Sequence, residues 1–156
     1  MFEFRVYGRP APQGSKKYVG NGRFIEASKY LAPWRKDVAN AIFTKLSVDP
    51  NFLDFKQIED PVVVEVVFLL EKPRGIKRLW PSVMPDTDKL QRAIGDALET
   101  DTAFLASDSL IVKWVPVKVY APSPEMTGAL VNVRLATQED LDAALAWVAD
   151  YDERNK

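Results

Sequence analysis

The sequence predicts an α+β domain, a mixed β-sheet flanked by helices. Three patterns carry this expectation. Residues 2–7 alternate apolar and polar, two segments repeat apolar residues every three or four positions, and three β-branched apolar runs lie between and after them. The chain has 156 residues, enough for one domain (1–156) with a buried core, and shows no internal repeat.

The elements follow in order. Phe2, Phe4 and Val6 alternate with Glu3, Arg5 and Tyr7, which predicts a strand with one buried face. Residues 8–22 are rich in Gly, Pro, Ser and Lys and read as a loop or short ribbon, with Asn21-Gly22 marking a turn. Tyr30, Leu31, Trp34, Val38, Ala41, Ile42 and Leu46 predict a helix over 27–46. Ser28 is a candidate cap, and Pro33, tolerated only in a first turn, moves the start toward Ala32. Residues 47–60 read as a polar connection, and Pro61 to Leu70 as a central strand. A second basic loop spans 71–84. Asp88 to Glu99 is the second helix, with Leu90, Ile94, Ala97 and Leu98 on its apolar side. Strands follow at 110–120 and 129–135. From about residue 137 comes an acidic C-terminal helix and tail, opened by Thr137 with Asp140 three residues on, and with Leu141, Ala144, Leu145 and Val148 on its apolar face; Asp150 to Glu153 read as a solvated tail.

Composition narrows the chemistry. The chain has no His and no Cys, which excludes Ser-His-Asp and Cys-His catalysis, His- or Cys-ligated zinc and disulfides. A hydrolase built from it would use a cation that takes oxygen ligands, Mg2+ or Mn2+. The longest apolar run, Val62 to Leu70, is broken by Glu65 and is shorter than the roughly 18 residues of a membrane span. Glu3 and Arg5 interrupt any N-terminal signal segment, so a cytoplasmic location is expected. Charge is uneven: 16 Lys/Arg against 11 Asp/Glu up to residue 92, and 5 against 11 beyond it. This suggests a polyanion-binding surface in the first part.

The segment Pro85-Asp86-Thr87-Asp88-Lys89-Leu90-Gln91-Arg92, with Asp96 and Asp108 beyond, admits two readings. In one, Asp88 is a helix cap with Gln91 three residues on, Asp86 a turn residue, Arg92 and Asp96 a surface ion pair, and Asp108 the start of a strand. In the other, Asp86, Asp88 and Asp108 point at a common spot and hold a divalent cation that offsets their repulsion. Arg92 then holds a phosphate oxygen or stabilises charge at phosphorus. The basic loops at 9–23 and 72–78 flank this centre and suit a nucleic-acid backbone, which points to a metal-dependent nuclease. A phosphatase or another nucleotide enzyme uses similar clusters. Trp80 is either a stacking platform or packed on the core, and Trp34, Trp114 and Trp147 read as core or dimer contacts.

From Phe2 to about Leu135 the sequence resembles the RusA-like Holliday junction resolvases, the crossover junction endodeoxyribonucleases. The resemblance rests on Phe4-Arg5-Val6-Tyr7-Gly8-Arg9-Pro10-Ala11-Pro12-Gln13-Gly14-Ser15-Lys16, on Pro85-Asp86-Thr87-Asp88 with Leu90 and Asp96-Ala97-Leu98, and on Ser107-Asp108 with Ile111-Val112. It implies a RusA-like fold and a Mg2+-dependent homodimer (Mn2+ as a substitute) that binds branched double-stranded DNA and resolves four-way junctions by paired symmetric nicks. It implies metal and catalytic roles for Asp86, Asp88 and Asp108, and a basic catalytic role for Arg92. DNA contacts are expected at Arg9, Lys16, Lys17, Arg23, Lys72, Arg74, Lys77, Arg78 and Lys89. Asp96 matches a family position with a structural role. The chain departs from the family pattern at Met84, where Lys is frequent, at Lys89, where Asn is usual, and at Ser107, where the family has Asp. The alternative is a catalytically weak or inactive branched-DNA-binding protein of the same family. The resemblance places the protein in a bacterial or phage cytoplasm, with no membrane partner.

Overall fold

The computed structural model describes residues 1–14, 16–26 and 28–156, with all their side chains except those of Ile25 and Glu26. Ser15 of the basic loop and Ala27, the expected start of the first helix, lie outside the described residues. Among the described residues the chain forms β1 (Phe2–Tyr7), β2 (Lys16–Gly20), β3 (Arg23–Glu26), α1 (Leu31–Val48), β4 (Val62–Leu70), α2 (Thr87–Asp96), β5 (Ile111–Tyr120), β6 (Gly128–Leu135) and α3 (Gln138–Arg154). This is the α+β architecture with a mixed sheet that the sequence predicts.

The main sheet has the order β1-β6-β4-β5, and β2-β3 is a separate ribbon. The ribbon turns at Asn21-Gly22, as their turn chemistry requires. Strand β4 is central: it pairs antiparallel with β6 and parallel with β5, Val64 facing both Val133 and Trp114. The crossover between the parallel strands contains α2. Strand β5 lies at the edge, which accommodates Pro116 and its missing N–H.

Alternation decides what is buried. Phe2, Phe4 and Val6 of β1, Val62, Val64, Val66 and Phe68 of β4, and Ala129, Val131 and Val133 of β6 face α1 and α2. Trp34, Val38 and Ile42 of α1 and Leu90, Ala93 and Ile94 of α2 close the core from the helix side. The segment 47–60, expected as a polar connection, contributes to this core. Phe52 meets Phe2 edge-on at 4.9 Å and Phe55 stacks on Phe104 at 4.8 Å, with Ile58 bridging to Leu105. Three aromatic or β-branched residues spaced by three are enough to pin an otherwise polar segment.

At two helix starts the capping residue differs from expectation, although α1 begins close to Ala32, where Pro33 moves it. Helix α1 begins at Leu31 with Tyr30 as its N-cap, and Ser28 makes no side-chain cap. Pro33 falls in the first turn, where its missing N–H leaves no intrahelical bond unmade. Helix α2 begins one turn position earlier than expected, with Asp86 as N-cap and Asp88 inside the first turn. No side-chain capping bond forms there, so both carboxylates stay turned to solvent.

Helix α3 starts with the Thr137–Asp140 capping box read from the sequence. Asp140 also takes a two-pronged bond from Arg134 at 2.8 and 2.9 Å, and Lys113 at 3.3 Å. These cations hold its carboxyl far below the usual carboxylate range, the Arg134 hydrogen bond being the largest cause. The apolar stripe of α3 buries nothing: Leu141, Leu145, Val148 and Trp147 are all more than half exposed. Residues 150–153, expected as a tail, belong to this helix. Among the described residues no helix is long and apolar enough to cross a membrane.

Gly128 opens β6 at φ +150°, with the Val6 carbonyl oxygen where a Cβ would stand. Gly128→Ala is expected to cost about 2–3 kcal/mol, read as a lower denaturation midpoint at unchanged slope; an unaltered midpoint would contradict the β1–β6 register.

Candidate functional site

The site is built on α2. Its apolar face is fixed by burial, so the residues one step around the helix must face out. Asp88, Arg92 and Asp96 fall at i, i+4 and i+8 and form one stripe. Asp86 and Asp88 sit at the helix N-terminus, where the macrodipole favours anions. The loop leading to Asp86 is held from below: Lys118 of β5, on the side of the sheet that faces the helices, donates to the carbonyls of Val83 at 2.7 Å and Pro85 at 2.9 Å. Met84-Pro85 is a cis peptide. Lys89 stands 4.0 Å from the Asp86 carboxylate, pairing back one turn.

The N-terminal Pro-rich loop is clamped onto the same helix. The Gln13 backbone N–H donates to the Lys89 carbonyl at 3.0 Å, and its side-chain amide donates to Asp96. Gly14, at φ +90°, lies under the Arg92 guanidinium: a Cβ there would stand 2.6 Å from Nη1. Arg35 of α1 completes the clamp. It binds Asp101 through two bonds of 2.7 and 2.8 Å, lies 4.0 Å from Asp96, and donates to the Gln13 side-chain Oε1 at 3.5 Å. Asp101 is turned toward Arg35 by a π-helical turn, Ala97–Asp101, that continues α2.

Asp108 lies in a 3-10 turn just before β5. Strand β5 does neighbour β4, as expected. The Asp108 N–H donates to Glu99 at 2.9 Å, and its Cβ is 4.0 Å from the position a Cβ on Gly95 would take. Gly95 is seven residues beyond Asp88, roughly 10 Å of helix rise. Asp108 therefore stands at the Asp96 end of α2, with Asp86 and Asp88 at the other. Asp96 records this: burial, the largest cause, raises its carboxyl above the usual range; Arg35 pulls it back, and Asp108, Asp101 and Glu99 push it further up.

The cationic residues divide by location. Lys16, Lys17 and Arg23 are exposed on the β2-β3 ribbon, which also presents Tyr18 and Phe24, their rings 5.3 Å apart. The Arg9 guanidinium lies over Tyr30, 3.6 Å from the ring centre. Arg78 donates to the Tyr120 hydroxyl at 2.8 Å, and Lys72 lies over the same ring at 5.7 Å. Arg74 and Lys77 are in the loop between β4 and α2, Arg74 exposed and Lys77 exposed. Trp80 is 55% exposed, available for stacking and not part of the core. Trp34 is buried and Trp114 packs against the core, whereas Trp147 is open to solvent. Arg9, Arg78, Lys89 and Asp86 line one cavity of about 1050 Å³.

Asp86 and Asp88 are exposed carboxylates in a chain without softer ligands and suit a hard cation, but Asp108, exposed at the other end of α2, does not share with them the common spot that the sequence led one to expect. Among the described residues no three acidic groups already stand as a metal cage. Ser107, in the position where an acid is usual, caps the 3-10 turn by accepting from the Ser109 N–H. Sequence reasoning missed Gln13, Arg35, Asp101 and Lys118 as positioning groups. Their partners lie 22 to 83 positions away along the chain or are backbone carbonyls, so no local pattern marks them.

The proximity of Asp96 to Asp108 has a direct readout. In Arg35→Ala the Asp96 carboxyl is expected to titrate at higher pH than in the wild type, because a cation that favours its charged form is gone. In Asp108→Asn it is expected to titrate lower, because a like charge is gone. Carboxyl carbon chemical shifts followed with pH measure both; the opposite sign in either variant would refute this arrangement.

The comparisons agree with the geometry. The family described as endodeoxyribonuclease RusA matches residues 7–130, from the end of β1 into β6, leaving α3 beyond the matched region. No curated protein matches the sequence significantly. The match takes in the clamped loop, α2 and the Asp108 turn, and on it the chain belongs to the RusA endodeoxyribonuclease family.

Proposed function

We propose that this protein is a Mg2+-dependent, structure-specific endodeoxyribonuclease of the cytoplasm that resolves four-way DNA junctions by paired symmetric nicks. The observation that carries the reading is the α2 stripe: two carboxylates at the helix N-terminus and a guanidinium one turn on, locked to a basic loop, in a member of a nuclease family. Without His or Cys, phosphodiester hydrolysis falls to carboxylates and cations.

Each part has a task. The β2-β3 ribbon and the 72–78 loop supply cations for the backbone of branched DNA. Arg92, its direction set by contact with Gly14, stabilises negative charge on the phosphoryl oxygens. Lys89, beside Asp86, is placed to meet the next phosphate. Asp86 and Asp88 would hold Mg2+ or Mn2+, which when bound would supply Lewis-acid chemistry at the scissile phosphate; Asp108, at the other end of α2, stands apart from that spot. Gln13, Asp96 and Arg35 position the loop against the helix and do not touch the reacting atoms.

Symmetric nicking needs two sites, and a homodimer supplies them. The sheet supports this: its face away from α1 and α2 carries Val115, Val117 and Leu130, each more than a third exposed, and α3 adds a second uncovered apolar stripe beside it. Two copies meeting through these surfaces would cover both. A catalytically weak branched-DNA binder is the second reading, and the Lys89–Asp86 pair favours it by competing with a cation for that carboxylate.

Asp88→Asn is expected to lower nicking of a synthetic four-way junction by roughly 10³-fold while salt-dependent binding persists. EDTA should abolish cutting by the wild type. Tight binding indifferent to EDTA, with no nicking under any divalent metal, would select the second reading. Sedimentation should give a dimer for the wild type and a monomer for Val115→Asp/Val117→Asp; a monomeric wild type would exclude the dimer.

A further inference from the structure

The cavity beside Asp86 contains more than a backbone-binding surface needs. It opens where the parallel strands β4 and β5 end, at Leu70 and Tyr120, and runs to Asp86 and Lys89 at the start of α2. Ligands of sheets with parallel strands gather at this end. Its volume, about 1050 Å³, exceeds what one nucleotide occupies. Six of the residues around it are prolines, including Pro81 and Pro85, so its walls are stiff and offer flat apolar faces with few N–H groups.

Two aromatic rings in the wall carry cations. Arg9 covers Tyr30, and Tyr120 is held by Arg78 at its hydroxyl and approached by Lys72. The Tyr120 hydroxyl accepts from Arg78, which leaves its own hydrogen free to donate. Rings that stack bases, interleaved with cations that follow phosphates, are the elements of a single-strand site. A duplex does not suit this place: its bases are already stacked on one another. Two carboxylates, Glu71 and Glu125, also border the cavity. They repel phosphate but accept hydrogen bonds from ring N–H and amino groups, so they suit the base and leave the phosphate to Lys89 and Arg9.

Resting on the nuclease reading above, we propose that this cavity holds one unstacked nucleotide of the cleaved strand, adjacent to the scissile phosphate. The base leaves the duplex at the branch, where pairing is weakest, and its capture draws the neighbouring phosphate to the N-terminus of α2. Binding energy gained at the base is thereby spent on positioning the reacting group.

The test uses the full-length wild type with junctions carrying a single 5-iododeoxyuridine at successive positions around the cut. Irradiation of the complex, held in EDTA, is expected to cross-link one position to Tyr120 or Tyr30, located by mass spectrometry. A second arm replaces that nucleotide by an abasic residue. Wild-type cleavage of the abasic junction should fall about tenfold or more, with junction affinity little changed. Tyr120→Ala should lose a similar factor on the intact junction and little further on the abasic one, because both remove the same contact. If junctions are bound and nicked, yet no position cross-links into the cavity and the two losses multiply independently, the inference is overturned and the nuclease reading stands. If no branched DNA is bound at all, the nuclease reading fails and the inference falls with it.

Discussion

Leu90, Ala93, Ile94, Ala97 and Leu98 are sealed completely from solvent between the sheet and α1. This burial sets the rotation of α2 about its own axis. Each larger side chain contributes on the order of 1.5–3 kcal/mol, so turning the helix to hide Asp88 or Arg92 would expose apolar surface that nothing else could cover. The outward stripe of Asp88, Arg92 and Asp96 is the geometric remainder of that packing. Gly95 belongs to the same constraint: it is buried at the helix–sheet contact, where Trp114, Asp108 and Ile111 pack around it.

A helix fixed in rotation still needs a partner surface to make a site. The Pro-rich loop supplies it, and polar bonds do the fastening: Gln13 to Lys89 and Asp96, Arg35 to Asp101. Charges here are half-buried and paired, which favours a defined geometry over raw stability. The raised Asp96 carboxyl reflects the same crowding. Five charged groups share this end of α2, and Arg35 is the cation that holds them together. From below, Lys118 of the edge strand β5 fixes the turn before Asp86. Both ends of the stripe are thus held by cations that come from other elements.

The opposite side of the molecule is organised differently. There the sheet and α3 leave apolar side chains in water, and α3 is fastened at its first turn by Arg134, Lys113 and its own capping box. An isolated helix of this length is marginal in water. Its retention makes physical sense when another surface lies on it, as the proposed dimer would provide.

Much of the fold was legible in the chain itself. Alternation marked β1, β-branched runs marked β4, β5 and β6, Asn21-Gly22 marked the ribbon turn, and Thr137 with Asp140 marked the start of α3, because each signal is local and each is enforced by backbone or burial rules acting over a few residues. The same holds for the acidic and basic residues of α2, whose face follows from its apolar spacing. Helix starts were less legible, since Ser28 and Asp88 can cap a helix, yet Tyr30 and Asp86 occupy the N-cap positions without a side-chain capping bond. What only the tertiary structure decided is which distant groups meet. It put Asp108 beside Asp96, two turns from Asp88, turned Gln13, Arg35 and Asp101 into one clamp, and brought Arg9 and Arg78 to a common cavity. It also left α3 uncovered, although its periodicity is that of a core helix. Periodicity reports that a face seeks burial; where that burial is found depends on crossovers, strand order and partners that no short stretch of sequence encodes.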